Sequence, residues 1–384
     1  MSGWAGRVAT MVGIWAVCFT TGCGNFFVYP GSLTGTSSTG DYVYVANGTT
    51  ESLAGFAVGT GTLTAISGLP LSLGFAPTAV AVNPANTIVF VAGNNGVNGF
   101  INTYSIGTGG VLSLMTSNNL GSGSEVSIDV SPDGDWLVGL DANGPLVNEA
   151  IVDEYAINLT SGALTLQTNT GGVYTYTGSS IPTLVPRSIK FAPSEGFVFV
   201  AEGTAGDLVF PFSAGTFSTP QTLIFGAASS TSDNALAVNS GSSYLYIARS
   251  GTGGGLAVYT VGSGGALNEV TGSPLTAGNQ PFSVLVNKAG TDVYVANQVD
   301  STISAYSIAS SGAVAALSPA TYTTVAASRA LVIDNSGDYL LAIANGGNPD
   351  LSLYSYSSTA EPVFSTSTST GTDPTNPVAI AATH

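Results

Sequence analysis

Charge is scarce in this chain, so its placement is informative. Only 7% of the 384 residues are charged, 22 acidic and 6 basic, against about 25% in typical soluble proteins. Arg187, Arg249 and Arg329 stand with Glu125, Asp141, Glu202 and Asp233 at related places in a repeated pattern of short apolar runs. Guanidinium forks hold carboxylate or phosphate oxygens bidentately. Carboxylates beside them could act as acid or base toward a bound molecule. These residue types therefore suit a small anionic or sugar-like ligand. They suit mutual ion pairs as well: Arg187 with Glu202, Arg249 with Asp233, Arg329 with a neighbour. Such pairs would only plug the space between strands.

What must position these side chains is the repeat. Residues 292–308, DVYVANQVDSTISAYSI, predict a strand, a polar turn and a second strand. Apolar and aromatic residues alternate there with small polar ones, the period-2 signature of half-buried β-structure. A further strand precedes each copy and begins at Pro77, Ser124, Pro186, Ser232, Pro281, Ser328 and Pro377. These starts lie 46 to 49 residues apart, except for 62 between Ser124 and Pro186, where residues around 143–149 and 171–184 are extra. Asn83-Pro-Ala-Asn86, Ser131-Pro-Asp-Gly134, Asn287-Lys-Ala-Gly290 and Asp334-Asn-Ser-Gly337 supply type I turn chemistry between the first two strands of their units.

Four strand-like pieces at this period are the size of a propeller blade. The pattern opens at a second strand (41–46) and finishes on a lone first strand (377–382). The last strand would then complete the first blade and leave the ring without a free edge. An open solenoid would need capping units, and none is visible. The expected fold is all-β: a seven-bladed β-propeller of four-stranded antiparallel blades over 41–384, closed by the C-terminal strand.

Antiparallel order brings the start of each first strand and the end of each second strand to one face. Two rings of positions follow. The inner ring is Thr78, Glu125, Arg187, Asp233, Phe282, Arg329 and Val378; the other is Asn47, Gly93, Asp141, Glu202, Arg249, Asn297 and Asn345. Seven of these fourteen are charged, so a polar channel mouth is expected, with Arg249, Arg329, Glu125, Asp141 and Asp233 binding ligand.

Other chemistries are weakly represented. A net charge of −16 argues against nucleic acid, whose phosphates need clustered cations. The acids of the third unit (Asp129, Asp133, Asp135, Asp141, Glu149, Asp153, Glu154) raise the thought of calcium. Asp133 and Asp135, however, flank a hairpin turn, where Asp is common. Zinc lacks a ligand set, and neither metal nor cofactor is expected. The lone histidine, His384, is expected on a frayed end, which removes Ser-His-Asp catalysis. Gly253–Gly255 and Gly107–Gly110 read as hairpin loops rather than phosphate cradles, since no helix follows. Lys190 falls mid-strand and Lys288 in a turn on the opposite face. Tyr246, Tyr259, Tyr294 and Tyr306 read as packing between blades.

The N-terminus has a different character. Arg7 precedes an apolar stretch from Val8 to Phe19, then Thr20-Thr21-Gly22-Cys23. That resembles a bacterial lipoprotein signal peptide over 1–22, with Cys23 the lipidated residue and 23–40 a Gly/Ser/Thr-rich tether. The stretch is short for a membrane span. The resemblance implies an envelope location through a lipid anchor. Gly24 after the cysteine favours the outer membrane or its periplasmic face, and a partner protein there is an alternative to a small ligand.

The repeated "VYVAN" and "ISAYSI" pieces with Pro-led first strands resemble the lactonase, 6-phosphogluconolactonase-like, YVTN-repeat propellers. The resemblance covers 41–382 and implies lactone hydrolysis as an alternative function. Such propellers carry a Pro-Arg-His start and an Asn-Glu end. Here Pro186 and Arg187 match, and Glu202 matches, but Ser188 stands in the histidine's place. The resemblance thus implies Arg187 as oxyanion holder and Glu202 as base.

Overall fold

The computed structural model describes residues 40–142, 148–167, 172–177, 183–224, 230–324, 326–356, 361–372 and 375–384. The expected signal peptide, Cys23 and the expected tether up to residue 39 lie outside the described residues. So does part of each insertion expected in the third unit.

Strand Asp292–Asn297 shows how the sequence builds the fold. It pairs with Pro281–Val286 on one side and Thr302–Ile308 on the other. Its alternation places Val293 and Val295 in one buried cluster and Tyr294 and Ala296 in another. All six residues of the strand are buried. Period 2 here does not divide core from solvent, as a half-buried strand would. It divides one seam between blades from the next, so both faces must be apolar or small.

Seven sheets repeat this arrangement. Their innermost strands are Ala76–Val82, Glu125–Val130, Ser188–Phe191, Ser232–Val238, Pro281–Val286, Ala327–Ile333 and Pro377–Ala382. The last of these pairs with Tyr42–Asn47, which continues to Ser52–Gly59 and Thr62–Ala65. The C-terminal strand therefore completes the first blade, and the ring closes as expected. Seven buried clusters fill the seven seams, each drawing on two neighbouring blades. Tyr246, Tyr259, Tyr294 and Tyr306 are all buried in them.

One irregularity recurs and decides what faces the channel. Each innermost strand is skewed by a β-bulge where it begins. Pairing skips Thr78, Val126, Asn234, Phe282, Arg329 and Val378 in six blades. In the fourth blade pairing starts at Ser188 opposite Ala201, and Arg187 N donates to Ala201 O (3.0 Å). A bulge leaves one residue unpaired and re-aims its side chain.

Candidate functional site

The central channel encloses about 540 Å³. Its mouth is lined by the bulge residues Thr78, Val126, Arg187, Asn234, Phe282, Arg329 and Val378. The sequence-derived inner ring agrees in five blades and is corrected in two. Pro77, Pro186, Pro281, Ser328 and Pro377 directly precede the bulge. Ser124 and Ser232 stand one residue further back. Counting one residue on from them gives Glu125 and Asp233, whereas Val126 and Asn234 face the channel.

That one-residue offset turns the two carboxylates into the blade. Glu125 is buried beside Asp141 and Asp153 and accepts a hydrogen bond from Tyr155 Oη (2.9 Å). Burial, followed by the charge of Asp153, pushes its carboxyl well above the usual range. Gly139 faces it across the pair of strands, and a β-carbon there would collide with the carboxyl group. The glycine in the middle of this strand thus makes room for a buried acid.

Asp233 is also fully buried, and it is ion-paired. Arg249 Nε and Nη2 donate to its two oxygens at 2.6 and 2.8 Å, and Nη2 reaches Tyr259 Oη at 3.1 Å. Burial alone would weaken the guanidinium's hold on its proton. The bonds and charge of Asp233 outweigh burial and raise the Arg249 pKa. Asp207 contacts Asp233 from the neighbouring blade and is held well above the carboxylate range, first by burial and then by that charge.

The second ring does not line the channel. Asn47 and Asn297 are fully buried and tie their own hairpins together: Asn297 Nδ2 donates to Thr302 Oγ1 (3.0 Å) and Ser304 Oγ (2.8 Å). Glu202 is fully buried too, and no hydrogen bond reaches either carboxyl oxygen. Burial pushes its pKa up to about 8. A carboxyl in such a place stays protonated at neutral pH, because an isolated buried charge is costly. The structure therefore separates Glu202 from Arg187, and the expected ion pair between them is absent.

Among the described residues of the mouth ring, Arg187 and Arg329 are the charged ones. Neither has a carboxylate partner among the described residues. Arg187 is exposed, and Arg329 is partly buried with its guanidinium 5.6 Å from the Phe282 ring centroid. Burial lowers the pKa of both; the charge of Arg187 lowers that of Arg329 further. The two cations thus feel each other across the mouth, although three blade steps separate them along the ring. Ser188, in the place of the family-type histidine, is buried.

Polar groups also mark the channel's other end. Lys190 pairs with Asp129 at 3.2 Å, and Lys288 Nζ donates to Asn335 O. His384 is not frayed. Its backbone N donates to Asn86 Oδ1 and its carbonyl accepts from Asn86 Nδ2, both at 2.8 Å, while its Nε2 lies 3.2 Å from Val82 O. It lines the channel, a placement that its terminal position in the sequence did not suggest. Asp129 also accepts from Phe191 N (2.8 Å), and Asp133 accepts from its own turn. Among the described residues no three Asp, Glu, His or Cys side chains converge as a metal site would require.

The inner strands around the channel and the closing C-terminal strand define the class: a seven-bladed β-propeller. Residues 178–326 match the family model of the lactonase, 7-bladed β-propeller, and the chain has a lactonase-like propeller fold. It is similar to a candidate 6-phosphogluconolactonase of Bacteroides fragilis NCTC 9343, at 14% identity and a TM-score of 0.71 over 92% of this chain and 100% of that one. A corresponding candidate of Bacteroides uniformis ATCC 8492 gives 13% and 0.70, over 89% and 99%. The periplasmic gluconolactonase of Pseudomonas aeruginosa gives 14% and 0.65, over 90% and 99%. No curated protein matches the chain. At these identities the likeness is one of fold.

Proposed function

We propose that this chain is an envelope binding propeller that takes a small anion between Arg187 and Arg329 at the channel mouth. One observation carries the proposal: two guanidiniums face one opening, each without a carboxylate partner among the described residues, in a chain whose third mouth-face arginine is engaged bidentately by Asp233. Bringing like charges together is unfavourable unless an anion is to be bound there. The lipid-anchored location rests on the sequence around Cys23.

Isothermal titration of the full chain with inorganic phosphate tests the anion site. Binding should weaken roughly tenfold or more in Arg187→Met and in Arg329→Met, since charge-assisted hydrogen bonds contribute about 1.5–3 kcal/mol. Equal binding by both variants would refute the site. For the anchor, lipid labelling should disappear in Cys23→Ala; persistent labelling would refute it.

Lactone hydrolysis is a second reading, favoured by the family match and by the names of the structural neighbours. The mouth ring itself contains no carboxyl, imidazole or thiol. Glu202, which would have to serve as base, is protonated at neutral pH and lies behind the channel wall. Turnover of an aldonolactone by the full chain, abolished in Glu202→Gln and Arg187→Ala with the fold intact, would establish this reading over the first.

A further inference from the structure

The mouth ring also restricts the chemistry of the anion, on the condition that the anion site itself exists. Its side chains present hydrogen-bond donors and almost nothing that accepts. Thr78 Oγ1 donates its proton to Glu125 O and keeps only its own lone pairs to accept. Asn234 is committed at both ends: Nδ2 donates to Ser250 Oγ (3.1 Å) and Pro281 O (2.8 Å), and Oδ1 accepts from Ser232 Oγ (3.3 Å). The other positions are Val126, Phe282 and Val378 beside the two arginines. A polyhydroxylated aldonate brings several hydroxyl donors, each of which needs an acceptor when it leaves water. The ring's side chains offer it only the remaining lone pairs of Thr78 Oγ1 and Asn234 Oδ1.

An anion with an apolar or aromatic body meets a better match. Its oxygens accept from the guanidiniums, and its body lies on Phe282 and the valines. Arg329 already has its guanidinium carbon 5.6 Å from the Phe282 ring centroid, within the range of cation–π attraction. A guanidinium held beside an aromatic ring can meet a carboxylate that has apolar surface alongside it. We infer that the channel mouth selects an aryl- or alkyl-carboxylate over a sugar acid, with Arg187 and Arg329 taking the carboxylate and Phe282 the apolar body.

Three probes on the full chain test this by calorimetry: 3-phenylpropionate, gluconate and inorganic phosphate. Phenylpropionate should bind at least about tenfold more tightly than gluconate, the scale set by burying one small apolar body. Phe282→Ala should remove that advantage, and Arg329→Met should weaken both phenylpropionate and phosphate. Arg329→Lys, which keeps the charge and loses the fork, should fall between them. Thermal melts of each variant separate loss of the site from loss of the fold. Gluconate binding as tight as phenylpropionate, or a Phe282→Ala variant that keeps the preference, would overturn the ligand class. Arginine-dependent phosphate binding in that same case would leave the anion site standing. No arginine-dependent binding of any probe would overturn both.

Discussion

The fifth and seventh blades treat an arginine in opposite ways. In the fifth, Arg249 ends the second strand, is turned inward and is gripped bidentately by fully buried Asp233. In the seventh, Arg329 occupies the bulge at the start of the first strand and faces the channel without a carboxylate among the described residues. The two residues belong to the same repeat and the same face of the ring. In the fifth blade the bulge falls on Asn234 and leaves Asp233 paired with Arg249 inside the blade; in the seventh it falls on Arg329 itself. Burial with a partner gives rigidity, and exposure without one gives a binding group.

The largest expected effect concerns the buried side of this contrast, where acids outnumber their partners. Glu202 titrates at about 8 in the fold against 4.5 as an ordinary glutamate, because burial disfavours its charge. A raised carboxyl pKa means that the folded chain holds a proton which the unfolded chain has released. Its contribution to stability is complete below about pH 4.5 and is lost as the pH rises through about 8. The shift corresponds to up to about 5 kcal/mol. Asp207 and Glu125, also raised, act in the same direction. Urea unfolding at pH 5, 7 and 9 should show stability falling with pH. Glu202→Gln should flatten that slope, and an unchanged slope would place the titration elsewhere.

Removing the partner tests the ion pair next. Asp233→Ala leaves a buried guanidinium uncompensated, and breaking a buried pair in this way costs about 3–5 kcal/mol. Arg249→Met leaves a buried carboxylate that neutralises by taking up a proton, so it should be the milder change at pH 5. Equal losses for the two variants would mean that the pair is effectively hydrated and that the contrast with Arg329 is one of position only.

How far the sequence disclosed all this depends on the scale of the feature. The ring was legible because a 48-residue repeat and a split first blade leave few other closures. The mouth was legible to within one residue. Pro and Ser starts mark the first strands, but the bulge that decides which side chain turns into the channel has no residue type of its own: Thr, Val, Asn, Phe and Arg all occupy it. Counting from Ser124 and Ser232 therefore pointed to Glu125 and Asp233 instead of Val126 and Asn234. The signal that could have corrected the count is Gly139. A glycine inside an apolar strand marks a space, and here that space holds the Glu125 carboxyl. His384 was misplaced for another reason. A terminal position says nothing of a side chain when the strand before it closes the ring.

Gly139 itself gives an intermediate prediction. Gly139→Ala drives a methyl group into the Glu125 carboxyl, and overpacking a filled interior costs about 1–3 kcal/mol. Glu125→Ala in the same chain should relieve it, so the double variant should be less destabilised than the two single losses combined. Strict additivity in a denaturation cycle would show that the glycine serves backbone geometry instead.

The smallest effect is also the sharpest test of the contrast. Arg329 loses hydration and gains repulsion from Arg187, with no ion pair to offset either. A group placed for binding in this way should cost the fold a little. Arg329→Met should therefore raise stability by a few tenths of a kcal/mol, at most about 1 kcal/mol, the range of substitutions away from buried networks. Part of that gain is electrostatic and should shrink between 0.05 and 0.5 M salt, as the screening length shortens. Saturating anion should reverse the order, stabilising the wild-type chain and not the variant. Arg249→Met keeps the mouth site, so anion should stabilise it as it does the wild-type chain, and its stability difference from wild type should change with neither salt nor anion. If both arginines behaved alike in this assay, the bulge would have no bearing on function.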